Sequence, residues 1–437
     1  MSAHPPLAVA PLDRVSAAAW YLRNRARSRA IFDLIEPSAY YSRPIALRNP
    51  IVFYEGHLPA FSVIAFLRRG LGCPPVDERL EALFARGIDP DSVDAAVPRS
   101  GASTLWPSRD AVLAFAARCD EAILDALEHS PELPLDGLYT ALEHEAMHQE
   151  TLLYMWHRLP YDQKRTGSAL GVLGSASGSA GSRFAVRDPV RVPAGDAVLG
   201  ADRAVVPFGW DNEFEAHRVH VPAFEIDAFP VTNGDYLEFV EAGGYSQRDL
   251  WSDEGWRWLD SEYVQYPSFW ILDDAGWRWR GMFETVPLPL DTPVYVSQAE
   301  ASAYARWKGR RLMTEPEFHR AAYGSRDGVA ATAQAPEGFY DFAGFDPVPV
   351  GAFPPSPFGA FDLVGNGWEW TSTVFAPFGG FVPMASYPEY SADFFDRQHY
   401  VLKGASPATA RELVRPSFRN WFRANYPYVY AKFRTVR

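Results

Sequence analysis

ALEHEAMHQETLLYMWHR, residues Ala141–Arg158, predicts a helix that carries two histidines on one face. The stretch has no glycine or proline and many strong helix formers, so we expect Asp136 to cap its start and Pro160 to end it. His144 and His148 stand four residues apart, which places both imidazoles one helical turn apart on the same side. This spacing is typical of a metal-binding helix. The alternative is a buried helix with two hydrogen-bonded histidines.

Three further long helices are predicted before this one. Their apolar residues recur at helical spacing, and four such helices within residues 1–165 form a helical bundle, whose interior is a common place for a metal site. The predicted elements are Ser16–Ile35, Asn49–Gly70 and Arg109–Glu128, with a short helix at Asp77–Arg86.

A third metal ligand is expected in the second of these helices. His57 lies there, two residues before Pro59, which should kink the helix or free backbone carbonyls. Glu150 completes an HxxxHxE pattern but points about 200° around the helix from His148, and His157 is too far along the axis. Three neutral imidazoles with open coordination positions suit catalytic zinc or non-haem Fe(II). Alone, His57 would be a hydrogen-bonded core histidine.

Composition limits the class of protein. The 437 residues predict two domains, and the net charge of -13 argues against a nucleic-acid partner. Only Cys73 and Cys119 occur, too few for a disulfide framework or a cysteine-ligated zinc site, so a cytoplasmic location is expected. We see no signal peptide and no segment of transmembrane length, so no membrane is expected. Aromatic residues make up 15%, which indicates either large cores or aromatic pockets for a cationic or flat ligand.

The second half of the chain has a different composition. Thr166–Ser182, TGSALGVLGSASGSAGS, predicts a linker, which we place at residues 166–183. Short strands, turns and prolines dominate residues 184–437, with helices expected only at Val231–Ala242 and Ser297–Lys308 and a helical turn at Glu315–Tyr323. This pattern indicates an irregular α+β domain whose loops carry sites.

Four ordered motifs in this half resemble the formylglycine-generating, sulfatase-modifying fold, a variant of the C-type-lectin-like fold. They are Pro293–Ala322, FDLVGNGWEWTST at Phe361–Thr373, VLKGAS at Val401–Ser406, and FRNWFR at Phe418–Arg423. Formylglycine generation depends on cysteines, and both cysteines of the chain lie outside this half, so that activity is not expected.

An HxxxHxE helical domain of the DinB type joined to such a module resembles the ergothioneine-type sulfoxide synthases over nearly the whole chain. The resemblance implies that His57, His144 and His148 hold Fe(II) at the domain interface. It also implies an O2-dependent reaction that joins a sulfur nucleophile to the imidazole of Nα-trimethylhistidine (hercynine).

The resemblance assigns roles to two further groups of residues. Tyr387 and Tyr390 in YPEYSADFF match the family's active-site tyrosine pair; we favour Tyr387 as the donor of a proton or hydrogen atom and place Tyr390 beside the substrate. Asn420 and Trp421 match the segment that contacts the trimethylammonium group, to which an indole face is attracted, and Phe422 follows them. Without the resemblance, YPEY is a turn with two surface aromatics and Trp421 is a core residue.

The chain departs from the members that use γ-glutamylcysteine. Those members have an arginine-bearing segment after the second helix, where this chain has RGIDPDSVDAAVPRSGAS, and an Asp where this chain has Phe422. A donor with two carboxylates would lose its ion-pair partners here. FYEGHLPAF and LFARGIDPD are similar instead to the branch that contains selenoneine synthase, which implies a selenosugar donor.

Three other readings stay open. One is a sulfoxide synthase that uses cysteine or γ-glutamylcysteine. Another is a zinc-dependent thiol transferase, because DinB bundles also bind zinc. The third is a non-enzymatic, lectin-like binding protein with a structural metal.

Overall fold

The computed structural model describes residues 12–85, 106–166, 188–325 and 336–437. These residues form two compact units. The helical unit contains the described part of Ala8–Leu173 together with Pro383–Tyr390, and the mixed unit contains the described parts of Gly174–Val382 and Ser391–Arg437. The predicted linker, except for Thr166, and the stretch RGIDPDSVDAAVPRSGAS lie outside the described residues.

The helical unit has four long helical segments and one short helix within its described residues. They are α1 (Arg14–Phe32), α2 (Ile51–Ser62) continued by a π-helix (Val63–Gly70), α3 (Glu78–Phe84), α4 (Arg109–His129) and α5 (Leu135–Arg158). All five predicted helices are present with shifted ends. Their assignment to the DinB type stays a prediction.

One local prediction for these helices is wrong. Asp136 does not cap α5, because Pro134 occupies the cap position and Asp136 lies in the first turn, where its charge still favours the helix dipole. For the helix that contains Pro59, the sequence predicted a kink or freed carbonyls, and this helix is irregular just beyond the proline. The hydrogen bonding changes from α-helical to π-helical at Val63. Such a change is one way in which a helix continues past an interruption of its backbone hydrogen bonds.

The segment Ile51–Gly70 also corrects the expectation that no segment has transmembrane length. It is 20 residues long and apolar enough to cross a membrane by length and composition. However, 89% of its most apolar window is buried inside the protein, which is what a core helix requires.

A buried polar network holds α5 against α1 and α4. The Arg25 guanidinium donates to Asp120 Oδ1 and to Glu145 Oε1, both at 2.9 Å. Ser28 Oγ donates to the same Glu145 oxygen at 2.6 Å. Because these groups are buried, the network fixes the rotation of α5 and therefore the direction of its adjoining, histidine-bearing face.

The mixed unit is built from four small sheets in its described residues. Two sheets have four strands, in the orders β1-β4-β13-β8 and β11-β10-β9-β12; β2 pairs with β3, and β5, β6 and β7 form the fourth sheet. The strands are β1 (Val190–Val192), β2 (Gly195–Leu199), β3 (His217–Val221), β4 (Phe224–Ile226), β5 (Trp270–Asp273), β6 (Gly276–Arg280), β7 (Thr285–Pro287), β8 (Arg311–Leu312), β9 (Gly367–Val374), β10 (His399–Ala405), β11 (Asn420–Arg423), β12 (Ala431–Lys432) and β13 (Thr435–Val436).

Four α-helices accompany these sheets in the described part of the unit, where the sequence predicted two helices and one helical turn. They are α6 (Asn233–Glu241), α7 (Asp253–Glu262), α8 (Gln298–Trp307) and α9 (Glu315–Tyr323). The prediction missed α7, although the Ser252 hydroxyl caps it by accepting from Gly255 N–H. Its sequence, DEGWRWLDSE, is rich in charge and tryptophan and buries only Gly255, Trp258 and Leu259, so its apolar period is weak.

A fully buried ion triad joins β9 to the C-terminal strands. Glu369 accepts from Lys432 Nζ and from Arg434 Nε, each at 2.9 Å. Burial alone would raise the pKa of Glu369, but Arg434 and Lys432 bring it below its ordinary value. The carboxylate is therefore charged and fully paired.

We expect Glu369→Gln to destabilise the mixed unit by about 3–5 kcal/mol, because the change leaves two buried cations short of their counter-ion. Urea unfolding followed by tryptophan fluorescence measures this loss. Glu238→Gln is the matched control, since it breaks only an exposed pair with Lys308 and should cost less than about 1 kcal/mol. Equal stabilities for Glu369→Gln and the control would contradict the role of the triad.

Candidate metal centre

His57 lies in α2. One of its ring nitrogens is hydrogen-bonded to the backbone, and the other is oriented as a possible metal ligand. The ring is 0% exposed, and its Nδ1 lies 2.7 Å from the carbonyl oxygen of Phe84. That carbonyl belongs to the last turn of α3, whose carbonyls have no partner within the helix. Since a carbonyl only accepts, Nδ1 carries the proton and Nε2 presents its lone pair.

His144 and His148 lie one turn apart on α5, as predicted, and their ring centroids are 4.4 Å apart. The Nε2 atoms of His57 and His144 are 3.3 Å apart. Among the described residues, no hydrogen-bond partner contacts the buried Nδ1 atoms of His144 and His148. If the two histidines were only structural, these buried nitrogens should have hydrogen-bond partners in the protein. The described residues supply none, which favours the metal-binding interpretation.

All three histidines are electrically neutral at pH 7. Burial lowers the pKa of His57 to about 4, although its bond to Phe84 opposes this change. Burial also lowers the pKa of His144 well below its usual value, helped by His148 and His57. The pKa of His148 is lowered by burial, by His57 and by Arg48. Neutral imidazole is the form that binds metals, so the burial prepares three ligands.

The three rings converge closely enough to share one ion. One ligand atom from each of His57, His144 and His148 lies within 4.8 Å of the other two. Two nitrogens bound to one ion at about 2.1 Å are separated by no more than about 4.2 Å, so binding needs only small side-chain rotations. Within the described residues this group contains no carboxylate, and Glu150 is not part of it.

Aromatic rings surround the three imidazoles. Phe61 stacks on His144 with ring centroids 3.5 Å apart, and Phe53 stacks on His57 at 4.9 Å. Phe53, His57 and Phe61 follow one another at four-residue spacing on α2 and therefore share one face. These contacts fix the ring orientations and keep the surroundings apolar.

Gly56 allows α3 to approach His57. A Cβ atom at this position would lie 2.4 Å from the Phe84 ring, so Gly56→Ala must displace the residue whose carbonyl orients His57. We expect a loss of about 1–3 kcal/mol in stability and a roughly tenfold loss in metal affinity. Thermal unfolding and metal titration measure the two effects. Gly379→Ala, where a Cβ meets nothing within 4 Å, is the control, and identical behaviour of both variants would contradict this role of Phe84.

The tyrosine pair lies in Pro383–Tyr390, which we call the tyrosine segment and which belongs to the helical unit. The Tyr387 ring is 4.9 Å from the Phe61 ring and 6.0 Å from the His144 ring. Tyr390 lies 5.7 Å from Tyr387 and donates its hydroxyl hydrogen to Met147 Sδ at 3.4 Å. Both tyrosines are buried, so the alternative of a turn with surface aromatics does not describe them.

Asn420, Trp421 and Phe422 belong to the mixed unit, on β11. The Trp421 indole stacks on Phe375 at 4.3 Å, so one face of the indole is covered. Asn420 Oδ1 accepts a hydrogen bond from the backbone N–H of Trp421. The Phe422 ring stacks on Tyr426 with centroids 5.1 Å apart. Their role in substrate binding stays a prediction.

Sequence reasoning missed several contributors to this site. The carbonyl of Phe84, the stacking rings of Phe53 and Phe61, and the buried Arg48 near His148 were not singled out. A signal was available only for Phe53 and Phe61, whose spacing from His57 places them on its face. The Phe84 contact joins residues 27 positions apart and has no local sequence signature.

The chain is similar to known proteins over most of its length. Residues 176–437 match the family described as the sulfatase-modifying factor enzyme 1-like domain. A protein of Mycobacterium tuberculosis named hercynine oxygenase is 36% identical over 433 residues, which are 94% of this chain and 96% of the relative. A hercynine oxygenase of Mycolicibacterium thermoresistibile is 36% identical over 91% of this chain and 89% of its own length. Ergothioneine biosynthesis protein 1 of Neurospora crassa is 27% identical over 90% of this chain, which spans 54% of that protein.

Proposed function

Because the chain belongs to the hercynine oxygenases, an ergothioneine-type family with a sulfatase-modifying-factor-like domain, we propose that it forms a C–Se or C–S bond at the imidazole C2 of hercynine. It is an oxidoreductase, and its partners are small molecules: hercynine, a selenium or sulfur donor, and O2. The observation that carries the proposal is the convergence of three neutral imidazoles from two helices.

Fe(II) fits this set of ligands. His57, His144 and His148 would hold it, since three buried nitrogens with low pKa values supply neutral donors and leave coordination positions for small molecules. When bound, the ferrous ion keeps its full positive charge and supplies a meeting point for O2 and an anionic selenolate or thiolate. Zinc fits the same nitrogens but does not change oxidation state, so it would not support a reaction with O2.

The protein's own residues orient the reactants and control a proton. The Tyr387 ring packs edge-on against Phe61 and lies beside His144. Its hydroxyl group is the source of a proton or hydrogen atom for the reaction. The hydroxyl of Tyr390 is already directed to Met147, so Tyr390 serves as packing next to the substrate. The aromatic rings around the imidazoles exclude water.

The overall reaction balances with O2 as the oxidant. For the oxide product, one C–H bond of hercynine and one Se–H or S–H bond of the donor are broken. One C–Se or C–S bond forms, one oxygen atom enters the product, and the other leaves as water.

We propose a selenosugar as the donor. Phe422 stands where the users of γ-glutamylcysteine have an Asp, and it stacks on Tyr426, which leaves an aromatic rather than an acidic side chain at this position. A sugar can be bound by stacking and by hydroxyl contacts, whereas a dicarboxylate requires cations. The second candidate is a thiol donor, cysteine or γ-glutamylcysteine. The similarity to ergothioneine biosynthesis protein 1 favours it, because ergothioneine contains sulfur.

One experiment tests the function and the donor together. The protein is loaded with Fe(II) without oxygen and then exposed to O2 with hercynine and, separately, cysteine, γ-glutamylcysteine, a thiosugar and a selenosugar. We expect mass spectrometry to find a hercynine adduct only with iron and O2, and most rapidly with the selenosugar. Equal turnover without O2, or with zinc alone, would favour a thiol transferase and overturn the proposal.

We further propose that the chain works in the cytoplasm. Both cysteines, Cys73 and Cys119, are free thiols, as a reducing compartment allows.

A further inference from the structure

The tyrosine segment runs along the same face of α5 that carries His144. Residues 140, 144 and 147 are spaced by four and three positions, so their side chains share one side of the helix. The segment runs parallel to α5, so residues further along the segment contact residues further along the helix. The contacts are Thr140 Oγ1 with Ser386 Oγ at 2.8 Å, the ring of His144 with that of Tyr387 at 6.0 Å, and Met147 Sδ with the Tyr390 hydroxyl at 3.4 Å.

Arg69 also contacts this segment. Its Nη1 donates to the carbonyl oxygen of Ser386 at 2.8 Å, and its Nη2 lies 3.8 Å from Glu389 Oε1. The two contacts flank Tyr387, one residue before it and two residues after it. The pair with Glu389 is partly exposed and adds little, whereas the charged donor on the Ser386 carbonyl makes the stronger bond.

The π-helix that carries Arg69 packs against the first turns of α5. A Cβ at Gly137 would lie 2.5 Å from the carbonyl oxygen of Ala65, and a Cβ at Gly70 would lie 2.8 Å from the Pro134 ring. The backbone that carries Arg69 is therefore held close to the start of α5. The preceding residue, Arg68, points elsewhere and pairs with Glu81 at 3.2 Å.

We propose that Arg69 and Thr140 are positioning residues that fix Ser386 and thereby hold Tyr387 beside His144. Neither residue has to touch a substrate. The contacts themselves are observed in the structure and do not depend on the proposed function. Their importance for turnover rests on the proposed function and on the role of Tyr387 in it.

Hydrogen exchange with mass spectrometry on the full chain tests the contacts without using activity. The readout is the exchange of peptides that cover the tyrosine segment, in which the Tyr390 amide donates to the Tyr387 carbonyl. We expect roughly fivefold faster exchange in Arg69→Ala and in Thr140→Val, since each loses one hydrogen bond that holds the segment. Arg69→Lys, which keeps one donor, should be intermediate. Arg68→Ala is the matched control and should leave the segment unchanged.

Turnover of the iron-loaded variants tests the consequence. We expect kcat to fall roughly five- to tenfold in Arg69→Ala and Thr140→Val, with the KM for hercynine within about twofold of wild type and iron content unchanged. Wild-type exchange in both variants, or equal acceleration in Arg68→Ala, would overturn the positioning contacts. Faster exchange with an unchanged kcat would refute their importance for the reaction, and the exchange result still decides the contacts if hercynine is not a substrate.

Discussion

His144→Ala should abolish stoichiometric Fe(II) binding and reduce turnover to below roughly 1% of wild type. The Nε2 of His144 lies 3.3 Å from that of His57, at the point where the imidazoles of α2 and α5 meet. Two remaining nitrogens make a weak site for a ferrous ion, and loss of a direct ligand should cost more than the 10- to 100-fold typical of groups that only support the ligands. Anaerobic iron titration with metal analysis measures the effect.

The control for this variant is His220→Ala, which removes an exposed histidine on β3 that pairs with Asp196. It should bind iron and turn over as wild type does. Circular dichroism of His144→Ala should retain the helical signal, because the polar network of Arg25 and Glu145 does not involve the His144 side chain and stays intact. Iron bound one to one in His144→Ala would remove this residue from the ligand set.

Tyr387→Phe should keep iron and hercynine binding but lower turnover by about 100-fold or more, or redirect it to another product. The substitution removes only the hydroxyl, so packing of the ring on Phe61 persists. Proton transfer by a positioned side chain contributes about 10²–10⁴-fold to a rate, which sets the size of the expected loss. A single-turnover reaction with O2, followed by mass spectrometry, measures both rate and product.

Tyr390→Phe is the matched control, because it removes a hydroxyl from the other member of the pair. That hydroxyl contacts Met147, a weak acceptor, so the change should lower turnover by less than roughly tenfold. If Tyr387→Phe reacts at the wild-type rate while Tyr390→Phe does not, the two roles are reversed. If both react normally, the tyrosine pair takes no part in proton transfer.

The histidine pair on α5 was predictable because helical periodicity converts a four-residue spacing directly into a shared face. The third histidine was predictable only as a candidate, since nothing in FYEGHLPAF indicates where α2 lies relative to α5. What brings His57 to the pair is tertiary packing, above all the close approach of α3 at Gly56 and the Phe84 carbonyl. Such contacts depend on residues distant in sequence.

The tyrosine segment shows the limit of pattern reasoning more clearly. Without the family resemblance, YPEY indicated a surface turn, whereas Tyr387 and Tyr390 are 9% and 8% exposed. Their described contacts include Met147 on α5 and Phe61 on α2, which precede them by more than 240 positions. Likewise, the π-helix was unpredictable because Val63–Gly70 has the composition of an ordinary α-helix, and only its hydrogen bonds differ.

X-ray absorption at the iron K-edge of the anaerobically loaded protein tests the central claim most directly, namely that His57, His144 and His148 bind one ferrous ion. We predict one iron per chain with three imidazole neighbours in the wild type and two in His57→Ala. The same number of imidazoles in both proteins would contradict the claim, because the ring of His57 would then lie outside the coordination sphere.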